Sequence, residues 1–589
     1  MQELKWLEGN LKALKRVAPD FWAWFKGHED TWSAWEDRIF SNPQGWLDLQ
    51  LPGQGTLLGP MPPQAFYSSW RPEMSGVKGA SIISGCNLGY GLNALLGRTG
   101  PGHVIALTDP RPEMLALCLG ITDYREFLLQ GRVLLFPPHK QAQERMLWAM
   151  NLQFYHGKVY FWADVPSMQI GPEYERLNIR CRDVLHKYRV QTGTLRRRQD
   201  TVVGNELDNY ARAFSDGVLS RVNGRLSGLS AVVLGAGPSL EKFGPELAAN
   251  RDRAVYAAGL QTLPALARLG IKPHLCMAID FTRDLLKPLA NLDEKWLRDI
   301  PLIYSTKVHP EVVQKYPGPR VALWTRGGMG TLVFKDRNLL LDTGGSVNVA
   351  LVRLFLEMGV QRIVFAGMDF GWKGESSHAR GHHAGNVHRQ NDSGKYELRY
   401  NADGEPVYST FSYLTSLWEL EKTVAERQEV GFKNLFGGYM DISGAGRLDT
   451  REIGAFLGDG SGDLQERLMR MEKQIKRNAP LPVFEKRAGQ WSVSLRRVLK
   501  RLERLFSRPE ANKNDIRRSL GELRMFISQD PLYITYLQPE IIDISALEKF
   551  PENYARGDLS RVKRIAKSIL KKVRHVDRTA GRTDLCGAA

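Results

Sequence analysis

Cysteine is scarce and shows no pattern. Cys86, Cys118, Cys181, Cys276 and Cys586 stand far apart, odd in number and without a C-x-x-C pair. That excludes a disulfide framework and a structural zinc knuckle, and it fits a reducing compartment. No run of about eighteen apolar residues occurs, so no membrane span is expected. The opening stretch, MQELKWLEGNLKALKRVAPD, mixes charges throughout and lacks the apolar core of a secretory signal, so the expected location is cytoplasmic. There is no Gly-Lys-Ser/Thr after a glycine loop, which argues against triphosphate hydrolysis. No Asp-x-Asp pair is present to hold a metal–nucleotide. Zinc-finger, RNP and helix-turn-helix signatures are also missing, and with them any motif support for a nucleic-acid partner.

What is there reads as a multidomain α/β protein. The 589 residues exceed one core. The formal charge of +17 points to an anionic partner without naming it. Residues 1–176 combine a tryptophan-rich segment (Trp6, Trp22, Trp24, Trp32, Trp35, Trp46, Trp70), read as aromatic packing, with a smaller α/β unit. In that unit GASIISGCNLGYGLNALLG leads to a strand ending at Asp109, the plan of a dinucleotide domain in which the acid holds a ribose. Its glycines (Gly85, Gly89, Gly91) are loosely spaced, so a scaffold without cofactor is the preferred reading. Residues 177–226 form a helical connector whose Arg196–Arg198 run is a solvated face. Residues 227–446 alternate strands and helices into a central Rossmann-like parallel sheet. Residues 447–589 form a basic helical bundle. Leu495, Val498, Leu499, Leu502, Leu505 and Phe506 share one helical face there, as do Val562, Ile565, Ile569, Leu570 and Val573.

The central segment holds the chemistry. In VVLGAGPSL, Gly235 and Gly237 are expected to take positive φ and let the backbone approach a ligand. Pro238 presets a first helical turn, and Ser239 adds a hydroxyl. The resulting helix entry presents free amides to an anion. Thr343, Gly344, Gly345 and Ser346 make a second glycine-rich entry, while Asp280 and Asp369 end two strands and Lys373 follows the latter. Beyond Asp369 lies KGESSHARGHHAGNVHRQND, with His378, His382, His383 and His388. Its His-x-x-x-His-His spacing lacks the helix and paired glutamate of a zinc hydrolase, so no metal is assigned. The loop reads equally as the source of a general base or as a soluble lid.

VVLGAGPSLEK, LGIKPHLCMAID, TGGSV and RIVFAGMDF together resemble the motility-associated factor (Maf) proteins, bacterial flagellin glycosyltransferases. NELDNYARAF and GFKNLFGGYMDISGAGR fit the same family. The core also resembles bacterial sialyltransferases. The resemblance implies a CMP-activated nonulosonic acid donor (pseudaminic or legionaminic) and flagellin serine or threonine as acceptor. No further cofactor is implied, and the anomeric centre inverts. Gly235, Gly237, Pro238 and Ser239 would hold the nucleotide, with Thr343 to Ser346 across the cleft. Asp280 and Lys373 would assist, Asp369 would stand at the catalytic strand tip, and His378, His382 or His383 would be the base. The basic tail would dock flagellin. The rival readings are a magnesium–ATP pterin diphosphokinase and a non-catalytic flagellin chaperone.

Overall fold

The computed structural model describes residues 4–53, 55–72, 79–150, 153, 158–217, 224–329, 340–374, 376–382, 396–459, 464, 466–468, 485–507, 512–551 and 553–581. Two compact units emerge from it. The first comprises Met1–Arg197, Arg497–Phe526 and Gln538–Ile565. The second comprises Arg198–Arg496, Ile527–Leu537 and Ala566–Ala589. The last quarter of the chain thus contributes to both.

The first unit is built on β1 (Ala80–Ser84), β2 (Val104–Thr108), β3 (Val133–Leu135) and β4 (Val159–Ala163), all parallel in the order β3-β2-β1-β4. β1 is buried along its whole length, as a central parallel strand covered on both faces must be. The opening tryptophans pack. Trp32 stacks on Phe25 at 4.5 Å and Trp70 on Trp162 at 5.5 Å, offset pairings that add to the apolar burial of each ring.

The second unit carries eight parallel strands. These are β5 (Ser230–Leu234), β6 (Val255–Gly259), β7 (Leu275–Ala278), β8 (Leu302–Ser305), β9 (Arg320–Leu323), β10 (Arg362–Ala366), β13 (Gly431–Asn434) and β14 (Gly446–Arg447). A separate antiparallel hairpin, β11 (Glu397–Tyr400) with β12 (Pro406–Ser409), interrupts them in the chain. The order β9-β8-β7-β6-β5-β10-β13-β14 places the reversal of strand order between β5 and β10. Period-two alternation decides which face each side chain enters. Val232 and Leu234 join one core with Tyr256 and Tyr304, whereas Ala231 and Val233 join the other with Met277 and Ile303. The second face is closed by α2 (Val347–Glu357), whose Val349, Leu351, Val352, Leu354 and Phe355 are all buried.

The polar run before the sheet is one long helix, α1 (Pro172–Asp208). Its last turn and the residue after it, Asn209, are a clamp rather than a spacer. Asn205 donates to the carbonyls of Phe281 and Lys307 at 2.9 and 3.0 Å, and Asn209 to those of Thr306 and Val308 at 2.9 and 2.7 Å. Glu206 accepts from the Met329 N–H at 2.6 Å. NELDNY therefore fixes the loops at the carboxyl ends of β7, β8 and β9. The side chains of Arg196 and Arg197 lie outside the described residues, while Arg198 is exposed over the Phe281 ring. Toward the chain's end, α4 (Ala488–Ser507) buries Trp491, Leu495 and Leu502, and α5 (Arg556–Ala580) buries Val562, Ile565, Ile569 and Val573. No described helix is long and apolar enough to cross a membrane.

Candidate functional site

β5 and β10 run side by side, Leu234 opposite Ala366. At a reversal of strand order the flanking loops part and leave a crevice at the carboxyl edge. Here the two exiting segments press against each other first. Gly235 donates its N–H to the Ala366 carbonyl, and Gly237 to that of Gly367, each at 2.8 Å. A Cβ on Gly235 would fall 2.3 Å from the Gly367 carbonyl oxygen, and one on Gly237 2.4 Å from Asp369 Oδ2. Both positions require glycine because the neighbouring segment is too close for a side chain. This corrects the expectation of left-handed glycines facing a ligand. Gly237 has φ −67°, and neither residue has positive φ.

A second correction concerns the helix entry. Pro238–Glu241 form a single 3-10 turn. Ser239 donates its N–H to Asp369 Oδ2 at 2.8 Å and its hydroxyl to Oδ1 at 2.6 Å. The Gly235, Gly237 and Ser239 amides are thus spent within the protein. Asp369 is only 6% exposed, and burial pushes its carboxyl up to about 6 against the pull of the two Ser239 hydrogen bonds. Gly437 closes over the pair, since a Cβ there would lie 2.1 Å from Ser239 Cβ. Met440 donates its N–H to the Asp369 carbonyl at 3.1 Å. Burial, then the nearby Asp369, raises the Tyr439 hydroxyl above the usual phenol range.

Beyond Asp369 the chain folds back onto the glycine turn. Ala379 donates its N–H to the Ala236 carbonyl at 2.8 Å, and Arg380 its N–H to Glu241 Oε1 at 2.6 Å. His378 and His382 arrive with that segment. His378 is held at both nitrogens, Nδ1 by Ser377 Oγ at 3.0 Å and Nε2 by the Tyr413 hydroxyl at 3.1 Å. The two imidazoles stack face to face, 4.1 Å apart and 3° from parallel. Tyr413 stands on α3 (Phe411–Ala425) and meets Trp372 edge-on at 6.1 Å. His383 and His388 lie outside the described residues.

The remaining predicted residues lie elsewhere on the unit. Asp280 is half-buried beyond β7, and its Oδ1 accepts the Thr282 N–H at 2.8 Å. Gly344 and Gly345 are left-handed (φ +57° and +76°) and lead through Ser346 into α2, which carries no side-chain cap. That helix begins near the end of β6, for a Cβ on Gly259 would lie 2.9 Å from Val347 Cγ1. Lys373 is exposed, and Glu405 pairs with it and offsets its charge. Ser377, Tyr413, Gly437 and Tyr439 escaped the reading of the sequence. Ser377 sits inside the quoted histidine segment and Gly437 and Tyr439 inside GFKNLFGGYMDISGAGR, none of them singled out, and Tyr413 lies in neither stretch. Among the described residues no three His, Cys, Asp or Glu side chains converge as metal ligands do.

In the first unit the resemblance to a dinucleotide site ends at Asp109. This fully buried carboxylate accepts the N–H groups of Cys86 at 2.7 Å and Arg111 at 2.8 Å, and the Tyr174 hydroxyl at 3.0 Å. Burial lifts it to about 7. Its hydrogen-bonding capacity serves its own loop, where a cofactor's ribose would otherwise compete.

Comparison with known proteins follows the same lines. The description "6-hydroxymethylpterin diphosphokinase MptE-like" matches residues 204–375. No curated protein matches the chain. Among solved structures, the Maf glycosyltransferase from Magnetospirillum magneticum AMB-1 is similar, with TM-score 0.59 and 16% identity, covering 97% of this chain and 94% of that one. From end to end, then, this chain has the fold of a Maf glycosyltransferase, as its motifs led one to expect.

Proposed function

We propose that the chain is a cytoplasmic, metal-independent glycosyltransferase that moves a nonulosonic acid, pseudaminic or legionaminic in type, from its CMP-activated form to serine or threonine of flagellin. The observation that carries this reading is the end-to-end likeness to a glycosyltransferase. The histidines anchored beside the switch-point crevice support it. Because the Gly235, Gly237 and Ser239 amides are engaged, the phosphate is assigned to the second entry, where Gly344 and Ser346 donate to Asp342 Oδ1 at 3.1 Å and the Thr343 carbonyl at 3.2 Å and the first-turn amides of α2 are left for an anion. There the helix begins behind Thr343–Ser346 with no side-chain cap, and its dipole favours an anion. The Ser239–Asp369 pair shapes the crevice wall. We assign the general base to His382, whose ring stacks on the His378 imidazole that Ser377 and Tyr413 hold in place. Deprotonation of the acceptor hydroxyl and attack opposite the leaving CMP invert the anomeric centre.

Intact-mass spectrometry of flagellin from cells with and without this gene tests the reading. The mass should fall on deletion by whole nonulosonic acid residues, and an unchanged mass refutes it. Transfer by purified protein should survive chelator. Loss of transfer that manganese restores would overturn metal independence.

The match over residues 204–375 favours a second reading, diphosphate transfer to a pterin alcohol. Calorimetry separates the two. CMP binding without magnesium speaks for the transferase, and ATP binding only with magnesium speaks for the kinase.

A further inference from the structure

Next to the crevice, a cleft of about 250 Å³ opens between the β11–β12 hairpin, α3 and residues 440–443. Two of its lining residues adjoin the site. Met440 in its lining bonds the Asp369 carbonyl through its own N–H, and Leu414 follows Tyr413, which holds His378.

The lining is graded. Leu414 and Leu417, 2% and 3% exposed, give an apolar floor together with Met440. Tyr400 and Trp418 stand at the rim, 65% and 36% exposed, which is unusual for large aromatic rings on a folded surface. The Trp418 ring is braced edge-on by Phe411 at 5.9 Å.

The charges then choose the occupant. Asp441 is matched by Arg447 at 2.8 Å, and Arg399 pairs with Glu397. Glu421 is different. Its Oε1 accepts the Ser443 N–H at 2.9 Å, which fixes the carboxylate in place, yet no lysine or arginine pairs with it among the described residues. An apolar floor for a methylene stem, two aromatic rims and one uncompensated carboxylate together suit a long cationic side chain. The stem would pack while the head group sits against π-faces and negative charge. An apolar side chain would leave the Glu421 charge unmatched, and an anionic sugar would be repelled by it.

We propose that this cleft is a docking subsite for a lysine or arginine side chain carried by a partner polypeptide. On the glycosyltransferase reading, on which this role rests, the subsite would set which segment of the acceptor is presented.

The test uses full-length protein labelled with 5-fluorotryptophan. The Trp418 fluorine signal is assigned as the one missing from Trp418→Phe. N-acetyl-arginine amide and N-acetyl-lysine amide should shift it saturably. Binding should weaken about fivefold in Glu421→Gln, which keeps an acceptor for the Ser443 N–H. Three results would overturn the proposal: no shift with either cation, an equal response to N-acetyl-norleucine amide, or a shift indifferent to Glu421→Gln. A response to N-acetylneuraminic acid alone would mark the cleft as a sugar site instead. No transfer is measured, so this outcome stands or falls apart from the glycosyltransferase reading.

Discussion

Asp369 and Asp109 are carboxyls whose proton affinity burial has lifted, to about 6 and about 7. In an unfolded chain each would titrate near 3.9. The folded protein therefore holds these protons more tightly than the unfolded one. The associated stability is fullest below about pH 4 and drains away as pH rises through 6 and 7. For Asp369 the full span amounts to about 3 kcal/mol. Melting temperature should accordingly fall between pH 5 and pH 8, with a shallower slope in Asp369→Asn, whatever that variant's absolute stability. A flat wild-type profile would contradict the burial argument. The glycines offer a sharper contrast. Gly237→Ala drives a Cβ onto Asp369 Oδ2 and should cost upwards of about 2 kcal/mol in denaturant melts. Gly345→Ala meets nothing within 4 Å, pays only for its left-handed φ, and should cost about 1 kcal/mol.

The elements divide by how far apart in the chain their determinants lie. Strands such as SAVVL and RIVFA were legible because a continuous apolar run closed by glycine is a local property of a strand buried on both faces, whereas their order along the eight-stranded sheet was not read from the sequence. The glycine turn was recognised but misassigned. Nothing in VVLGAGPSL reveals that a segment about 130 residues later crowds it, so closeness to another strand passed for closeness to a ligand. The histidine segment was visible as composition, whereas its anchoring by Tyr413, 35 residues on, depends on where α3 packs. That anchoring predicts a kinetic signature. Tyr413→Phe removes the hydrogen bond at His378 Nε2 while keeping the ring that packs on Trp372. Under the proposed function kcat should fall about tenfold with KM nearly unchanged, whereas His382→Ala should cost about 10² to 10⁴. Equal activity of Tyr413→Phe and wild type would separate the stacked pair from catalysis.

At the scale of the molecule, the basic excess now has an address. On α5, Lys567, Lys571, Arg574 and Arg578 recur at helical spacing, all exposed and meeting no carboxylate among the described residues. The opposite face is structural. Lys572 pairs with Asp200 at 2.5 Å, and Ala580 belongs to the core that includes Val232 and Tyr256. Deleting the tail to test docking would therefore strip the second unit's core along with the charge. Reversing the four exposed cations to glutamate is the cleaner experiment. It should leave melting nearly unchanged and, under the proposed function, abolish salt-dependent retention of flagellin on immobilised enzyme. Retention that persists would place the acceptor elsewhere.

The buried Ser239–Asp369 pair carries one more consequence. A group poised to ionise near neutrality senses every charge that arrives beside it, and an anion settling in the crevice would make ionisation harder still. Under the proposed function, capture of a nucleotide would then draw a proton out of solution. Calorimetric heats recorded in two buffers of unlike ionisation enthalpy should differ, and the difference should vanish in Asp369→Asn.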